Sequence, residues 1–578
     1  MLSKMLSAAR AGQPLWLPDV HTAFSRAEGT RLVLRLESFD GATRDFSHVL
    51  PHWQNGEERR LVRDYLCACV YNAMSVCGGW HMTFFVDPAA REAIDLLNEL
   101  PEFFQLSQSK RQGLGKVVSI ANRMGRAFNC KEFSFTISDI KDYLALSETE
   151  KTASSPVDTL RSLREAGERA NCVGVDVGGT DIKLAASLRG KLIAVREYDW
   201  NPAAFATAEQ IVAPILLLTR LMRACLAAEE SNLADPLRAR LTRALAKDTP
   251  DAEAEAVVAE AEAALGASVD VLDAVGLSFP DIVLHDRIVG GETPKTDGVR
   301  RNASVDYEEE FARLGALRER LLALCRGAGR CRIVNDGNMA AFTAAMELAC
   351  GKTPEAVGRG VVAHSLGTDL GTGWLDARGE IPQLPLELYD VWMDLGSFPS
   401  AELPPEDLRG TRNENSGLPG ARRYMGQAAA YRLAWELEPR LLDGFVEERG
   451  GVLRIRMEPE DLRKPCLEHL MRRAGEGDAA AEEIFRRIGF HLSVVSREME
   501  RLLCTGTDAR ILFGRFVKSE RCFALLREGF AAGAPGLRLE NGGEDLAETP
   551  LMRQLAARED VTVAQFAQAV GSLYFALS

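Results

Sequence analysis

The chain lacks the excess of positive charge that a protein needs to hold nucleic acid. Its 69 lysines and arginines are outnumbered by 83 aspartates and glutamates, which gives a formal net charge of −14 at pH 7. Because neutralising a phosphate backbone requires clustered Lys and Arg, this balance argues against a nucleic-acid partner. No apolar run approaches the roughly 20 residues needed to cross a bilayer. We therefore expect neither a nucleic-acid partner nor a membrane partner.

Signals for export and for metal binding are also scarce. Residues 1–16 contain two basic residues but no sustained apolar core, so they make a poor secretory signal. The cysteines are scattered, mostly within apolar stretches, as expected for reduced thiols in the cytoplasm. Cys67, Cys69, Cys77 and His81 form a cluster, but residues two apart on a helix face different directions. Buried thiols are the favoured interpretation of this cluster, and a metal site is the alternative.

Heptads and internal repeats of fixed period are absent, which argues against a repeat architecture. A chain of 578 residues is too long for one core and predicts about three or four compact units. Residues 1–146 carry strand signals at 31–36 and 81–86 and are predicted to form an α/β domain of unknown role. Residues 147–170 are polar and are predicted to form a linker followed by a short helix.

What the sequence does contain is a Gly-Gly-Thr turn between two apolar segments, in residues 173–185 (VGVDVGGTDIKLA). The pattern predicts a strand, a tight turn and a second strand. Such a hairpin presents backbone N–H groups and a hydroxyl to whatever lies over the turn, which suits a phosphate chain. Asp176, just before the turn, could hold Mg²⁺ facing the same phosphates, directly or through water. A plain structural hairpin is the alternative.

Three later stretches complement this hairpin. Residues 276–281 (GLSFPD) predict a strand that ends at a pocket. Residues 331–341 (CRIVNDGNMAA) predict a short buried strand that breaks into an Ala-rich helix at Asp336. Residues 366–374 (LGTDLGTGW) form a second Gly/Thr turn between apolar segments, which is able to meet phosphate from the opposite side. Together the four stretches predict a site for phosphate chemistry.

In this order the motifs resemble those of the actin-like ATPase superfamily and, within it, the ROK family of sugar kinases. Residues 278–280 and 367–387 are especially similar to polyphosphate/ATP glucokinases of that family, and the resemblance covers about residues 171–578. It implies an α/β, ribonuclease H-like fold of two lobes, preceded by the separate N-terminal α/β domain. The implied lobes are residues 171–335 with a C-terminal helix at 562–578, and residues 336–561.

Phosphoryl transfer to a hydroxyl needs positioning, charge neutralisation and a carboxylate that takes the hydroxyl proton. Asp336 is the candidate base, and by resemblance it matches the catalytic Asp of the family. The alternative is that Asp336 only caps the helix that follows. The predicted phosphate or nucleotide contacts are Gly178, Gly179, Thr180, Lys183, Gly367, Thr368, Gly371, Thr372 and Gly514. The predicted substrate contacts are Asn335, Asn338, Glu387 and Pro280.

The segment after the second turn departs from the family's pattern. Asp390 stands where the family's Glu-x-x-His motif has its His, so only Glu387 is retained. A solvated loop Glu is the alternative interpretation of Glu387. Residues 416–424 contain no Cys and no close His, so no structural zinc is expected. Arg422 or Arg423 lies near the place of a sugar-binding Glu, where an arginine could recognise an anionic group or be solvated.

Several family glycines are also replaced. Asp281, Asp369 and Thr372 stand at glycine positions, and the charge of an Asp would oppose a triphosphate unless a metal or a lysine offsets it. Arg515 replaces one of the paired glycines after a late strand, where it could stack on a base, reach a phosphate or block the pocket. These replacements leave the fold prediction stronger than the prediction of activity.

The sequence thus predicts a cytoplasmic sugar kinase of carbohydrate metabolism. It would transfer a phosphoryl group from ATP, or polyphosphate, to a hydroxyl of a small-molecule sugar or polyol, with Mg²⁺ as cofactor. The alternative is a catalytically diverged sugar or nucleotide sensor. A homodimer is left open.

Overall fold

The computed structural model of the protein describes residues 1–144, 155–231, 233–291, 293–352, 354–396, 403–413, 416–542 and 547–578. Part of the predicted linker, residues 147–154, lies outside the described residues. The helix predicted to follow it begins at Pro156.

The helices are α1 (Leu2–Arg10), α2 (Leu17–Ser25), α3 (Gly56–Cys77), α4 (Arg91–Phe103), α5 (Gly115–Ala127), α6 (Ile140–Leu144), α7 (Pro156–Gly167), α8 (Ala208–Glu230), α9 (Asp235–Ala244), α10 (Asp251–Leu265), α11 (Asp297–Arg301), α12 (Tyr307–Gly315), α13 (Leu317–Leu322), α14 (Asp336–Cys350), α15 (Gly426–Leu437), α16 (Arg463–Gly475), α17 (Ala479–Leu503), α18 (Glu520–Gly533), α19 (Pro550–Ala556) and α20 (Val563–Phe575).

The strands are β1 (Gly29–Glu37), β2 (Thr43–Pro51), β3 (His81–Val86), β4 (Ser134–Asp139), β5 (Asn171–Val177), β6 (Asp181–Leu188), β7 (Lys191–Asp199), β8 (Ala274–Phe279), β9 (Val283–Leu284), β10 (Arg287–Ile288), β11 (Arg330–Asn335), β12 (Val361–Leu366), β13 (Leu370–Leu375), β14 (Val446–Arg449), β15 (Val452–Ile455), β16 (Ala509–Gly514) and β17 (Arg538–Asn541). The predicted α/β class is confirmed.

The chain folds into two compact units. The first consists of Met1–Lys151, His364–Thr372 and Leu384–Asn541, and the second of Thr152–Ala363, Gly373–Gln383 and Gly542–Ser578. The N-terminal region and much of the predicted second lobe thus share the first unit. The predicted domain boundaries themselves stay a prediction.

The second unit is built on a five-stranded sheet with the order β11-β8-β5-β6-β7. Strand β6 runs antiparallel to β5 and β7, whereas β8 and β11 run parallel to β5. This is the strand order of the ribonuclease H-like fold. Helix α20 packs closely on the sheet, because a Cβ at Gly174 or Gly276 would lie 2.0 Å from a carbonyl oxygen of that helix. Glycine is therefore required at both positions.

Helix α8 corrects the expectation that no apolar segment approaches a membrane span. It has 23 residues, and the mean hydropathy of its most apolar window is 1.8, so by length and composition it could cross a bilayer. However, 78% of that window is buried inside the protein, where the helix contributes Ile211, Ile215 and Leu218 to the core beside the five-stranded sheet. Its apolar composition is therefore explained by a core position.

In the first unit, a sheet of order β2-β1-β3-β4 contains the two strands predicted near residues 31–36 and 81–86, which are confirmed. Helix α3 is capped by the Asn55 side chain, which accepts hydrogen bonds from two backbone N–H groups. Cys69 and Cys77 lie on its buried side as free thiols. Burial raises the pKa of Cys69 to about 12 and that of Cys77 to about 11, so both remain protonated and unreactive.

Hydrogen bonds explain why the N-terminal region belongs to the first unit. The backbone N–H of Leu17 donates to the carbonyl of Met393 at 2.8 Å, and that of Leu395 donates to the carbonyl of Leu15 at 2.9 Å. The Asn72 side chain of α3 also accepts from the backbone N–H of Trp392 at 2.7 Å. These bonds satisfy one backbone polar group each of Trp392, Met393 and Leu395.

A second sheet has the order β13-β12-β16-β17, and the hairpin end of its first two strands, residues 364–372, belongs to the first unit. If β7 is left out, the sheet of the second unit has the order β6-β5-β8-β11. In both sheets the second strand of a hairpin is followed by the first strand of that hairpin and then by two strands from later in the chain. The two halves of the predicted kinase region therefore repeat one strand arrangement.

Candidate active site

Asp336 lies where strand β11 ends and helix α14 begins. The helix is capped by Asn335, whose Oδ1 accepts a hydrogen bond from the Gly337 N–H at 2.8 Å. The Asn335 Nδ2 donates to the carbonyl of Asp281 at 2.9 Å. Asp336 also accepts from the Gly337 N–H, at 2.9 Å, so it shares this bond without being the capping residue. Asn335 therefore takes the capping role that was the alternative for Asp336.

The electrostatic surroundings of Asp336 favour a proton-accepting role. Burial raises the pKa of its carboxyl group, and the positive charge of Lys295 opposes that rise. Asp176, at the end of strand β5, belongs to the same cluster: burial raises its pKa to about 6, and the charge of Asp336 adds to the rise. Lys183 and a hydrogen bond from Ser278 oppose it. A carboxylate whose pKa approaches neutrality is a stronger base.

The donor set near Asp336 fits Mg²⁺ only in company with a substrate. Among the described residues, no group of three or more His, Cys, Asp or Glu side chains could hold a metal ion. Mg²⁺, however, usually takes one or two carboxylates together with water and substrate phosphates. Asp176 and Asp336 are two such carboxylates, and a cation between them would relieve their mutual repulsion.

The first Gly/Thr turn is held firmly by its neighbours. The Gly178 N–H donates to the carbonyl of Asp181 at 2.8 Å, and Trp200 donates from its indole to the Gly178 carbonyl and from its backbone to the Thr180 carbonyl, both at 3.1 Å. Gly179 and Thr180 are exposed at the tip. The turn thus leaves its tip open to a ligand.

Lys295 is a candidate that the sequence did not reveal. Its Cε would lie 3.5 Å from a Cβ built on Gly179, so the side chain lies beside the turn, and its charge also acts on Asp336. Lys183, the lysine that was predicted to contact phosphate, pairs with Asp181, and its contact with phosphate stays a prediction. Residues 181 and 183 are two apart on strand β6 and so lie on the same face. Lys295 lies beside the Gly178–Thr180 turn because of the position of the 293–296 turn, which no sequence motif predicts.

Asp281 does not place a free charge beside the turn. It is 7% exposed, and its Oδ1 accepts hydrogen bonds from the N–H groups of Ile282 at 2.7 Å and Gly291 at 3.0 Å. Its carboxylate thus satisfies buried backbone donors. Pro280, a predicted substrate contact, is buried directly after strand β8.

Asn338, also predicted to contact substrate, is 2% exposed and accepts a hydrogen bond from the Trp374 N–H at 3.0 Å. It joins helix α14 to strand β13 at a very close approach, because a Cβ on Gly373 would lie 1.9 Å from the carbonyl oxygen of Gly337. Both predicted asparagines therefore bond within the protein, and their contact with substrate stays a prediction.

The second Gly/Thr turn, in the first unit, is fixed by helix α15. The carbonyl of Gly367 accepts from the Gln427 N–H at 3.1 Å, and the Gly367 N–H donates to the carbonyl of Asp369 at 3.0 Å. Thr368 is exposed at the tip. The Nε of Arg422 lies 2.7 Å from Oδ1 of Asp369. This arginine therefore offsets the negative charge that Asp369 introduces where the family has a glycine.

The other predicted residues of this turn are less accessible. Thr372 is 5% exposed, and its hydroxyl lies 3.0 Å from Nδ1 of the buried His364. Gly371 lies in strand β13, where an added Cβ would lie 3.6 Å from the Cβ of Ser365, an ordinary contact distance. Gly514 ends strand β16 with a φ of 103°, and a Cβ there would lie 2.3 Å from the carbonyl oxygen of Leu366. Gly514 thus allows β16 to approach the start of the turn.

Glu387 and Asp390 are supported by helix α3. The Glu387 N–H donates to the carbonyl of Ser75 at 3.2 Å, and the Tyr389 hydroxyl is hydrogen-bonded to the Glu387 carboxylate. Asp390 is 9% exposed, bonds to the Asn413 side chain and has a pKa raised by burial to about 6. Glu387 is therefore not the solvated loop residue of the alternative interpretation.

The solvated interpretation of Arg422 and Arg423 is also wrong. Arg423 is 6% exposed and donates to the carbonyls of Gly410 and Asp407. Arg422 is committed to Asp369. Packing of Arg423 against residues 407–410, which no local pattern encodes, buries this arginine.

Fold and site together define an α/β protein with a ribonuclease H-like sheet whose strand ends carry a cluster of carboxylates and lysines. No protein-family model and no curated protein matches the chain. Among solved structures, the chain is similar to a ROK family glucokinase from Streptomyces griseus in complex with glucose and AMPPNP, with 16% identity, a TM-score of 0.36, and coverage of 70% of this chain and 99% of that one.

Two further solved structures are similar over comparable lengths. A glucokinase from Balamuthia mandrillaris in complex with glucose has 13% identity and a TM-score of 0.40, covering 74% of this chain and 100% of that one. A ROK family transcriptional regulator, described as a homologue of E. coli MLC, has 12% identity and a TM-score of 0.38, covering 70% of this chain and 80% of that one.

Proposed function

We propose that the protein is a ROK-like kinase that transfers a phosphoryl group from ATP or polyphosphate to a hydroxyl of a sugar or related polyol in the cytoplasm. The observation that carries the proposal is the cluster at the strand ends of the second unit. There Asp336, with its raised pKa, shares its surroundings with Asp176 and Lys295, and Lys295 lies beside the Gly178–Thr180 turn.

In this proposal, the exposed N–H groups of Gly179 and Thr180 and the ammonium of Lys295 bind donor phosphate oxygens. Asp336 takes the proton of the acceptor hydroxyl. The acceptor oxygen forms a new bond to phosphorus as the bridge from that phosphorus to the rest of the donor breaks, and the donor remnant leaves with the electron pair. Asp176 would hold Mg²⁺, which supplies charge neutralisation of donor oxygens when bound.

Two features of the first unit support the same assignment. The neutralisation of Asp369 by Arg422 removes one electrostatic objection to phosphate at the second turn. Glu387, held by Tyr389 and by helix α3, is a fixed hydrogen-bond acceptor of the kind that polyol recognition requires.

The test is a donor-consumption assay of the wild-type protein and Asp336→Asn across a panel of sugars and polyols, with ATP and with polyphosphate. We expect turnover by the wild type and a loss of at least about 10²–10⁴-fold in Asp336→Asn. Ligand-induced thermal shifts should persist in the variant. Asp306→Asn is the matched control, because Asp306 is exposed and caps helix α12, where Asn caps equally well.

The second candidate function is a sensor that binds a sugar or nucleotide without turnover. It is favoured by the internal hydrogen bonds of Asn335 and Asn338, which occupy groups that a kinase of this kind would offer to its substrate. Wild-type protein that binds a donor yet consumes none with any acceptor would establish the sensor and exclude the kinase.

A further inference from the structure

A cavity in the first unit adjoins the second Gly/Thr turn. Its volume is about 240 Å³, and its wall includes Thr368 of the turn and Gln427 and Tyr431 of helix α15. Four arginines line it against two carboxylates, so the wall carries an excess of positive charge. We call it the arginine cavity, and its charged wall residues are Asp369, Glu406, Arg422, Arg423, Arg454 and Arg463.

Arg454 is the wall residue without a partner. Its Nε is buried and finds no acceptor, and its side chain makes no ion pair among the residues that the structure describes. The residue opposite it across the β14–β15 hairpin is Glu447, but that carboxylate pairs with Arg449 at 3.1 Å. A buried guanidinium donor without an acceptor is costly, so a ligand that supplies oxygen atoms would stabilise it.

Arg515 adds a second uncommitted cation near this wall. It follows Gly514 directly, and within the described part of the chain its side chain has no hydrogen-bond or ion-pair partner. Burial raises the pKa of the Tyr431 hydroxyl, and the positive charge of Arg515 acts on the same hydroxyl in the opposite direction. Because Tyr431 lines the cavity, the field of Arg515 reaches its interior.

The remaining arginines of the wall are already engaged. Arg423 bonds backbone carbonyls, Arg463 pairs with Asp461 at 2.6 Å, and Arg422 pairs with Asp369 of the turn. The cavity therefore offers one guanidinium group without a partner, that of Arg454, has Arg515 near its Tyr431 wall, and lies beside a Gly/Thr turn of the type that binds phosphate. Guanidinium groups recognise phosphate through two parallel hydrogen bonds, which a lysine cannot match.

The size of the cavity limits its ligand. Pockets that hold drug-sized molecules measure roughly 300–1,000 Å³ and are mostly apolar. This cavity is smaller, and four arginines lie in its wall, so it is too small for a whole nucleotide with its base but suits a narrow anion. A chain of phosphates is narrow and highly charged and presents an oxygen to each arginine in turn.

We propose that the arginine cavity binds a chain of phosphates that continues from the turn at residues 367–369. Inorganic polyphosphate and the tail of a nucleoside triphosphate share this chemistry, and a linear polyphosphate presents more of it. The role of the cavity as a donor site rests on the proposed kinase function, whereas the binding itself does not. In transfer, the shortened phosphate chain is the leaving group, and the arginines hold its charge.

The experiment measures affinity by calorimetry for long-chain polyphosphate, tripolyphosphate, ATP and inorganic phosphate. The proteins are the wild type, Arg454→Gln, Arg515→Gln and the control Arg472→Gln, which removes an exposed arginine of helix α16 in the same unit. We expect wild-type protein to bind polyphosphate most tightly, and each cavity variant to bind it about tenfold more weakly, because a charge-assisted bond is lost. The control should bind like the wild type.

Four outcomes would overturn the inference. The first three are no binding of any phosphate compound, equal affinities of wild type and both cavity variants, and inorganic phosphate bound as tightly as polyphosphate. The fourth is an equal loss of affinity in the Arg472 control, because general electrostatic attraction would then explain the binding. If the affinity for ATP, rather than the affinity for polyphosphate, falls tenfold in both cavity variants, the bound phosphate chain is the tail of the nucleotide and the proposed site is supported.

The inference and the proposed function fail separately. If polyphosphate binds as expected but neither wild-type protein nor any variant consumes a donor, the cavity is an anion site of a sensor. If wild-type protein turns over ATP and the cavity variants match it in both binding and turnover, the kinase stands and the cavity has no part in donor binding.

Discussion

The two Gly/Thr turns contain the same three residues in the same order, Gly-Thr-Asp, but they solve one electrostatic problem in different ways. In the first turn, Asp181 is neutralised by Lys183, two residues along the same strand. In the second, Asp369 is neutralised by Arg422, which lies far along the chain. The first solution is local and the second depends on tertiary structure, so identical motifs can hide unlike surroundings.

The charge around each turn differs as well. The first turn has the carboxylates of Asp176 and Asp336 nearby, and Lys295 lies beside the turn and acts on the charge of Asp336. The second has arginines, two of which, Arg454 and Arg515, have no partner among the described residues. Carboxylates with a raised pKa suit proton transfer, and paired carboxylates suit metal binding, whereas arginines suit the binding of an anion.

The largest expected effect is on the first turn, through Lys295→Met. Loss of a positioned cation at a phosphoryl group should lower kcat/KM by about 10²–10³-fold. Lys295 also opposes the rise in the pKa of Asp336, so without it that pKa rises further and a larger share of Asp336 is protonated at neutral pH. The acidic limb of the pH–rate profile should therefore move to higher pH.

Lys191→Met is the matched control for this substitution, because Lys191 is an exposed lysine of the same unit that pairs with Glu229. We expect its kinetics and pH profile to equal those of the wild type. A Lys295→Met variant with reduced activity but an unmoved acidic limb would mean that Lys295 does not act on the base.

Part of this comparison could be predicted from sequence. The strand–turn–strand patterns, the junction at Asp336 and the Asp181–Lys183 face follow from local periodicity, because each involves residues within a few positions of each other. The places of Lys295 and Arg422 could not be predicted, since they depend on how the 293–296 and 416–423 segments fold back. The sequence predicts Asn335 as a substrate contact and offers capping only as the alternative for Asp336, whereas in the structure Asn335 caps the helix, a role that asparagine suits equally well.

The next effect tests which glycines the second turn needs for folding. Gly514→Ala should lower the free energy of unfolding by about 2–4 kcal/mol, because Gly514 has positive φ and its new Cβ would lie 2.3 Å from the Leu366 carbonyl oxygen. Gly367→Ala meets no atom within 4 Å and should change stability by less than about 1 kcal/mol. Urea unfolding of both variants measures the difference.

Gly367→Ala also separates folding from ligand approach. If phosphate approaches the backbone at Gly367, the added methyl group should weaken donor binding while stability stays near that of the wild type. Equal destabilisation by the two substitutions would contradict the geometry at both glycines.

The smallest effect compares the two acid–base pairs directly, by double-mutant cycles with Asp181→Asn and Lys183→Gln for one and Asp369→Asn and Arg422→Gln for the other. The side chains of Asp181 and Lys183 are 24% and 16% exposed, and those of Asp369 and Arg422 are 36% and 23% exposed. Solvent-accessible pairs contribute about 0.2–1 kcal/mol, so we expect both coupling energies in that range, with that of the less exposed pair of the first turn the larger.

High salt should weaken the coupling of the second turn more, because its charges are better hydrated and screened. A second-turn coupling that exceeds the first and resists salt would mean that the distant arginine is held more rigidly than the neighbouring lysine, and that the long-range solution is the stronger of the two.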